Sequence, residues 1–218
     1  MNLSLKPLAL ACLTLALGLS VPALAATPPA HAHAASAATT QAPKLHAAMR
    51  SLWHGHIVHA REYAMAVHAH DDAKAKKAAE AVVANAHQIA DAVGGFYGKP
   101  AGEQMMTLLG GHWGAVKALT DARAKNDTAA ADDAMAKMTS NASDIAKFLA
   151  GANPNLPEDT VRGMLLAHGA HHAQELNLID ANDHAGEAKA WAAMQAHMDS
   201  VADALAGAIA KQFPAKAS

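Results

Sequence analysis

The sequence predicts an all-α fold: six helices in three tandem αα-hairpins of a 56-residue repeat, arranged as a pseudo-threefold helical bundle. Three observations lead there. Alanine is abundant, aromatic residues are 4% of the chain and β-branched runs are absent, a composition suited to helices. Apolar residues recur at helical spacing. The chain also matches itself without a gap when shifted by 56 residues.

That shift aligns His56, His112 and His168, then Asp71, Asp127 and Asp183, then Ala73, Ala129 and Ala185. Ile89, Ile145 and Val201 follow, with Val93, Leu149 and Leu205, and Gly95, Gly151 and Gly207 close the unit. The repeats run over about 51–106, 107–162 and 163–218. In each, the first helix carries an apolar stripe: Leu45, Met49, Leu52, Trp53, Ala60, Tyr63 in the first unit; Met105, Leu108, Leu109, Val116, Leu119 in the second; Val161, Met164, Leu165, Ile179 in the third. The repeated aspartate is expected to cap the second helix, accepting from free N–H groups of its first turn. The repeated glycine is expected to end that helix. Pro100 and Pro157 are expected to open the next first helix. Three hairpins can close into a bundle or stack as a short solenoid, and the lack of a polar capping repeat favours closure.

Residues 1–25 read as a secretory signal peptide: the basic "MNLSLK", the apolar "PLALACLTLALGLS" and the small-residue site "VPALA". A lipoprotein signal ending at Cys12 would leave only a stub of apolar core. Cleavage after Ala25 removes the single cysteine, and with it disulfides, thiolate ligands and thiol nucleophiles. Residues 26–42 have the composition of a disordered leader, and residues 43–218 suit one helical bundle domain. No later segment is apolar enough to span a membrane. A net charge of −2 without a basic stripe argues against nucleic acid as a partner. The expected location is periplasmic or secreted.

The chain holds 15 histidines, all beyond the signal peptide. His56, His112 and His168 each interrupt an apolar stripe, where an unpartnered imidazole costs about 1–3 kcal/mol. Hydrogen bonds to neighbours could satisfy them. A threefold axis would instead bring all three to one point, where they could share a metal ion at about 2.0–2.1 Å. Further donors sit nearby: His59 and Glu62 in the first unit, His171, His172 and Glu175 in the third. The second unit has His112 alone. Imidazole with carboxylate suits zinc, copper or nickel. Met105, Met106, Met164, Met194 and Met198 offer thioethers, although methionine in bundles is mostly packing. His54, His68, His87, His184 and His197 read as surface residues. Histidine ligation should weaken as pH falls through about 6.5.

From "SLWHGHIVHAREY" through "GGFYGKP", "LLGGHWGAVKAL", "NASDIAKFLAGANPN" and "MLLAHGAHHAQE" to "GAIAKQFP", the chain resembles a family of small bacterial all-helical proteins. Some of its members carry the label acetylglutamate kinase. The resemblance spans roughly residues 51–214 and implies the helical fold and the three recurring histidines, with no established activity. Relatives often have an acidic residue just before these histidines, where this chain has Gly55, Gly111 and Ala167. No phosphate-binding loop, nucleophile elbow or HExxH is present. The ferritin-like Glu-x-x-His pattern is missing from "EYAM" and "ELNL".

The expected function is therefore metal binding by an exported histidine-rich bundle, for homeostasis, buffering or tolerance. The alternative is a metal-free structural or protein-interaction module of the periplasm. A hydrolytic or hydratase zinc enzyme is the more distant reading.

Overall fold

The structure, a computed structural model, describes residues 42–217; the expected signal peptide and nearly all of the expected leader lie outside them. Seven helices and no strand occur among the described residues: α1 Pro43–His68, α2 Asp72–Tyr97, α3 Lys99–Ala124, α4 Thr128–Ala152, α5 Glu158–Asp180, α6 His184–Gln212 and the short α7 Pro214–Ala217.

The turns inside the three hairpins share one form. His70, Asn126 and Asn182 take left-handed backbone with φ of 54°, 55° and 53°. The next N–H, on Asp71, Asp127 or Asp183, donates back to the carbonyl of Ala66, Ala122 or Leu178 at 2.9 Å, closing the preceding helix. Each aspartate then turns its carboxylate onto the following helix and accepts from the N–H of Lys74, Ala130 or Gly186 at 3.0, 3.0 and 2.9 Å. The expected caps are in place. Replacing Asp127 by alanine should cost about 1 kcal/mol, seen as a lower urea midpoint at unchanged slope.

The repeated glycines do not end their helices. Gly95 lies in the last turn of α2, Gly151 is the penultimate residue of α4, and Gly207 is inside α6. Helix α2 continues because Phe96 and Tyr97 pack on Phe213 near the end of α6, with ring centroids at 5.9 and 5.1 Å. It stops instead at Gly98, whose φ of 92° is open to glycine at little cost. Pro43 and Pro100 sit in first turns, whereas Pro157 occupies the N-cap of α5.

Helix packing closes on itself. α2 packs between α1 and α3, α4 between α3 and α5, and α6 between α5 and α1, while α1, α3 and α5 also touch one another. A stacked solenoid would not bring α6 back onto α1. At that seam Arg50 and His46 of α1 both pair with Asp203 of α6.

Two apolar layers fill the bundle. One contains Trp53, Ile57, Met105, Leu109, Val161 and Val201. The other contains Tyr63, Val82, Trp113, Val116, Leu119 and Ile179. Met105, Met194 and Met198 are buried in the first layer, and Met106 and Met164 pack against it, so all five are apolar filler. The repeated histidines fall between the two layers on α1, α3 and α5.

A second contact recurs across the helix pairs. Asn85 Nδ2 donates to the carbonyl of Leu52, Asn141 Nδ2 to that of Leu108, and His197 Nε2 to that of Met164, each at 3.0 Å. A Cβ on Gly55 would lie 2.9 Å from the Asn85 amide nitrogen, and one on Gly111 3.0 Å from that of Asn141. The glycines before His56 and His112 therefore leave room for the amides. In the third pair Ala167 and His197 replace the glycine and the asparagine.

Candidate metal centre

His56 of α1, His112 of α3, and His168 and His172 of α5 meet in the middle of the bundle. Each offers a ring nitrogen, and these four atoms all lie within 4.8 Å of one another. The three repeated histidines have ring centroids 5.3 to 5.8 Å apart. His172 is 4.5 Å from His168 by centroid, and their Nε2 atoms are 3.2 Å apart. None of the four is more than 6% exposed.

Burial dominates their electrostatics. It pulls the pKa of His56 down to about 3 and that of His112 to about 4. His168 and His172 are held well below the ordinary value, first by burial and then by neighbouring histidines. All four are thus neutral at pH 7 and keep a lone pair each. Both nitrogens of His56, Nε2 of His112 and Nδ1 of His168 have no hydrogen-bond partner. Buried polar atoms are normally satisfied, so four orphans in one cluster call for an explanation. A group of four neutral nitrogen donors at this spacing could hold a metal ion.

Beside His112 and His168 is an apolar cavity of about 20 Å³, walled by Trp53, Leu109, Met164 and Leu165. That is room for roughly one water-sized molecule.

The other sequence candidates stay outside the cluster, and helix geometry says why. A residue four positions on turns about 40° from its predecessor, and one three positions on about 60° the other way. His172, four after His168, turns inward. The residues four after His56 and His112 are Ala60 and Val116, without a ligand atom. His59 and His171, three after the repeated histidines, are only part-buried. His59 pairs instead with exposed Glu62, Nδ1 to Oε2 at 2.9 Å.

Glu175 is buried one turn beyond His172, but it serves another group. Arg61 Nε hydrogen-bonds Glu187 at 2.6 Å and lies 3.2 Å from Glu175 Oε1 as an ion pair without hydrogen-bond geometry. Burial pushes the Glu175 carboxyl up to about 7; Arg61 opposes the shift and Glu187 adds to it. The guanidinium sits over Trp191, 5.0 Å from the ring centroid.

His54, His87 and His184 are exposed and His68 is part-buried. His197 departs from the surface reading. Besides its bond to Met164, its ring lies 5.1 Å from His171 and 6.5 Å from His168. Its alignment with Asn85 and Asn141 was the sequence signal for an inward role.

No protein family, curated protein or solved structure matches the chain. The functional reading rests on the geometry.

Proposed function

We propose that this is an exported protein that binds one transition metal ion through His56, His112, His168 and His172, serving homeostasis, buffering or tolerance. The observation that carries this is the set of four buried, neutral imidazoles with nitrogens within 4.8 Å, four of whose ring nitrogens have no hydrogen-bond partner. Four nitrogen donors without thiolate or carboxylate suit zinc, copper or nickel. Export is supported by the basic, apolar and small-residue order of residues 1–25.

We also read the six long helices as a triplicated hairpin about a pseudo-threefold axis. The aspartate caps, the left-handed residues before them and the three side-chain bonds to helix carbonyls support it, since all recur at the same spacing.

The test is elemental analysis of untagged protein purified without chelators, followed by zinc, copper and nickel titrations of the stripped form. About one tightly held ion per chain is expected, lost when the four histidines are replaced together. A chain that holds no transition metal under these conditions would favour the metal-free structural module.

A further inference from the structure

A closed site of this kind poses a delivery problem. The four rings are at most 6% exposed, so a hydrated ion cannot reach them in one step without opening the bundle. Histidines exchange ligands readily with an ion in transit when a second donor is close by. The structure contains one such pair next to the cluster.

His171 on α5 and His197 on α6 are both part-buried, with ring centroids 5.1 Å apart. The His197 ring lies nearly parallel to that of buried His168, at 12° and 6.5 Å. The three form a continuous file from the surface into the centre. The Met164 carbonyl can only accept, so Nε2 of His197 carries a hydrogen, and Nδ1 is the atom of that ring free to face an ion.

The comparison with the other helix pairs gives this its weight. Asn85 and Asn141 make the same bond to a helix carbonyl that His197 makes. An amide suffices for that bond twice over. The imidazole adds a spare nitrogen, and it does so only beside His168 and His172, in the pair whose first helix supplies two of the four central rings.

We propose that His171 and His197 form a metal entry port that captures an incoming divalent ion and passes it through His168 to the buried four-histidine centre. This rests on the metal-binding reading above and adds the route. The ion arrives hydrated, takes one nitrogen from each port residue in place of water, and sheds its remaining water as the inner imidazoles replace the outer ones. No bond in the protein is made or broken, and the port is empty again after transfer.

The variant that isolates this role is H197N in an A167G chain, with A167G alone as its control, which restores both the glycine and the asparagine of the other two helix pairs and so leaves room for the amide. It keeps the bond to the Met164 carbonyl and loses the spare nitrogen. Cobalt(II) is the probe, because nitrogen coordination in a buried tetrahedral site gives visible absorption. Stopped-flow mixing with the metal-free full chain at pH 7.5 should show H197N filling roughly tenfold more slowly than A167G alone, and H171A roughly tenfold more slowly than wild type. Their final spectra and their ratio of one cobalt per chain should be unchanged. H59A, on the equivalent outward position of α1, should fill at the wild-type rate. Loading of H197N as fast as A167G alone would overturn the port, and so would a second cobalt held permanently by His171 and His197. If wild type takes up no cobalt, the four-histidine reading falls with it. If wild type loads and the variants load as fast as their controls, only the port falls.

Discussion

Lowering the pH of the metal-free protein from 7 to 5 is expected to remove much of its stability. His56 and His112 have folded pKa values of about 3 and 4, against an ordinary value of 6.5. At pH 5 both remain neutral in the fold but are mostly protonated in the unfolded chain. The unfolded state then binds more protons, and stability falls with pH. The contribution is complete above about 6.5 and drains away between there and the folded values. At pH 5 these two residues together remove about 4 kcal/mol. His168 and His172 act in the same direction. Glu175 acts oppositely: raised to about 7 from 4.5, its carboxyl favours the fold as pH falls through 7, by about 2 kcal/mol at pH 5. The histidines win, against a total that for most domains is about 5–15 kcal/mol. Urea melts with a chelator at pH 7, 6 and 5 should show the midpoint falling at each step. Saturating zinc should largely abolish the fall, because a bound ion holds the rings unprotonated in the fold. Equal midpoints at pH 7 and pH 5 would rule out a buried neutral cluster. The expectation from sequence that binding weakens near pH 6.5 is also modified: while the bundle stays folded, burial moves proton competition to lower pH.

Replacing His112 by leucine should separate the two functional readings by sign. Helix α3 supplies only this ring to the centre, and Val116 stands where α5 has His172. Its loss leaves three donors on two helices, and metal affinity should drop by roughly a thousandfold, about 4 kcal/mol. The metal-free protein should gain stability, by about 1–2 kcal/mol. Leucine is close in size, and His112 Nε2 is a buried polar atom with no partner. A histidine kept for structure would behave the other way, costing stability on removal and leaving zinc binding untouched. Isothermal titration with zinc and urea denaturation of the stripped variant give both readouts. Unchanged affinity together with lost stability would sink the metal reading.

Much of this was legible because it depends on local rules. An aspartate before an alanine-rich stretch caps a helix by its own reach, so Asp71, Asp127 and Asp183 were readable one by one. The repeated histidines were readable because each is a polar interruption of an apolar stripe. What went astray depended on packing between distant segments. Gly95 looked like a stop, but Phe213, over a hundred residues later, gives Phe96 and Tyr97 something to pack on. His59, His171 and His172 all lay near the right face, and only the one-residue difference between three and four positions separated outside from inside. Glu175 looked like a ligand until Arg61, arriving from α1, gave its carboxylate a partner. His197 reads as a surface residue from its own helix, and only its register with Asn85 and Asn141 points inward. Its meaning lies in the carbonyl and rings of α5.

The order in which the chain is made also bears on the centre. α1 and α3 bring one central ring each, and α5, fifth of the six long helices, brings the remaining two. During synthesis the first two-thirds of the protein therefore emerge with at most two of the four donors, too few for a strong grip. The donor set is completed by α5 and enclosed only when α6 returns to α1. An ion that needs all four nitrogens would consequently be held by the finished chain and not by a half-made one.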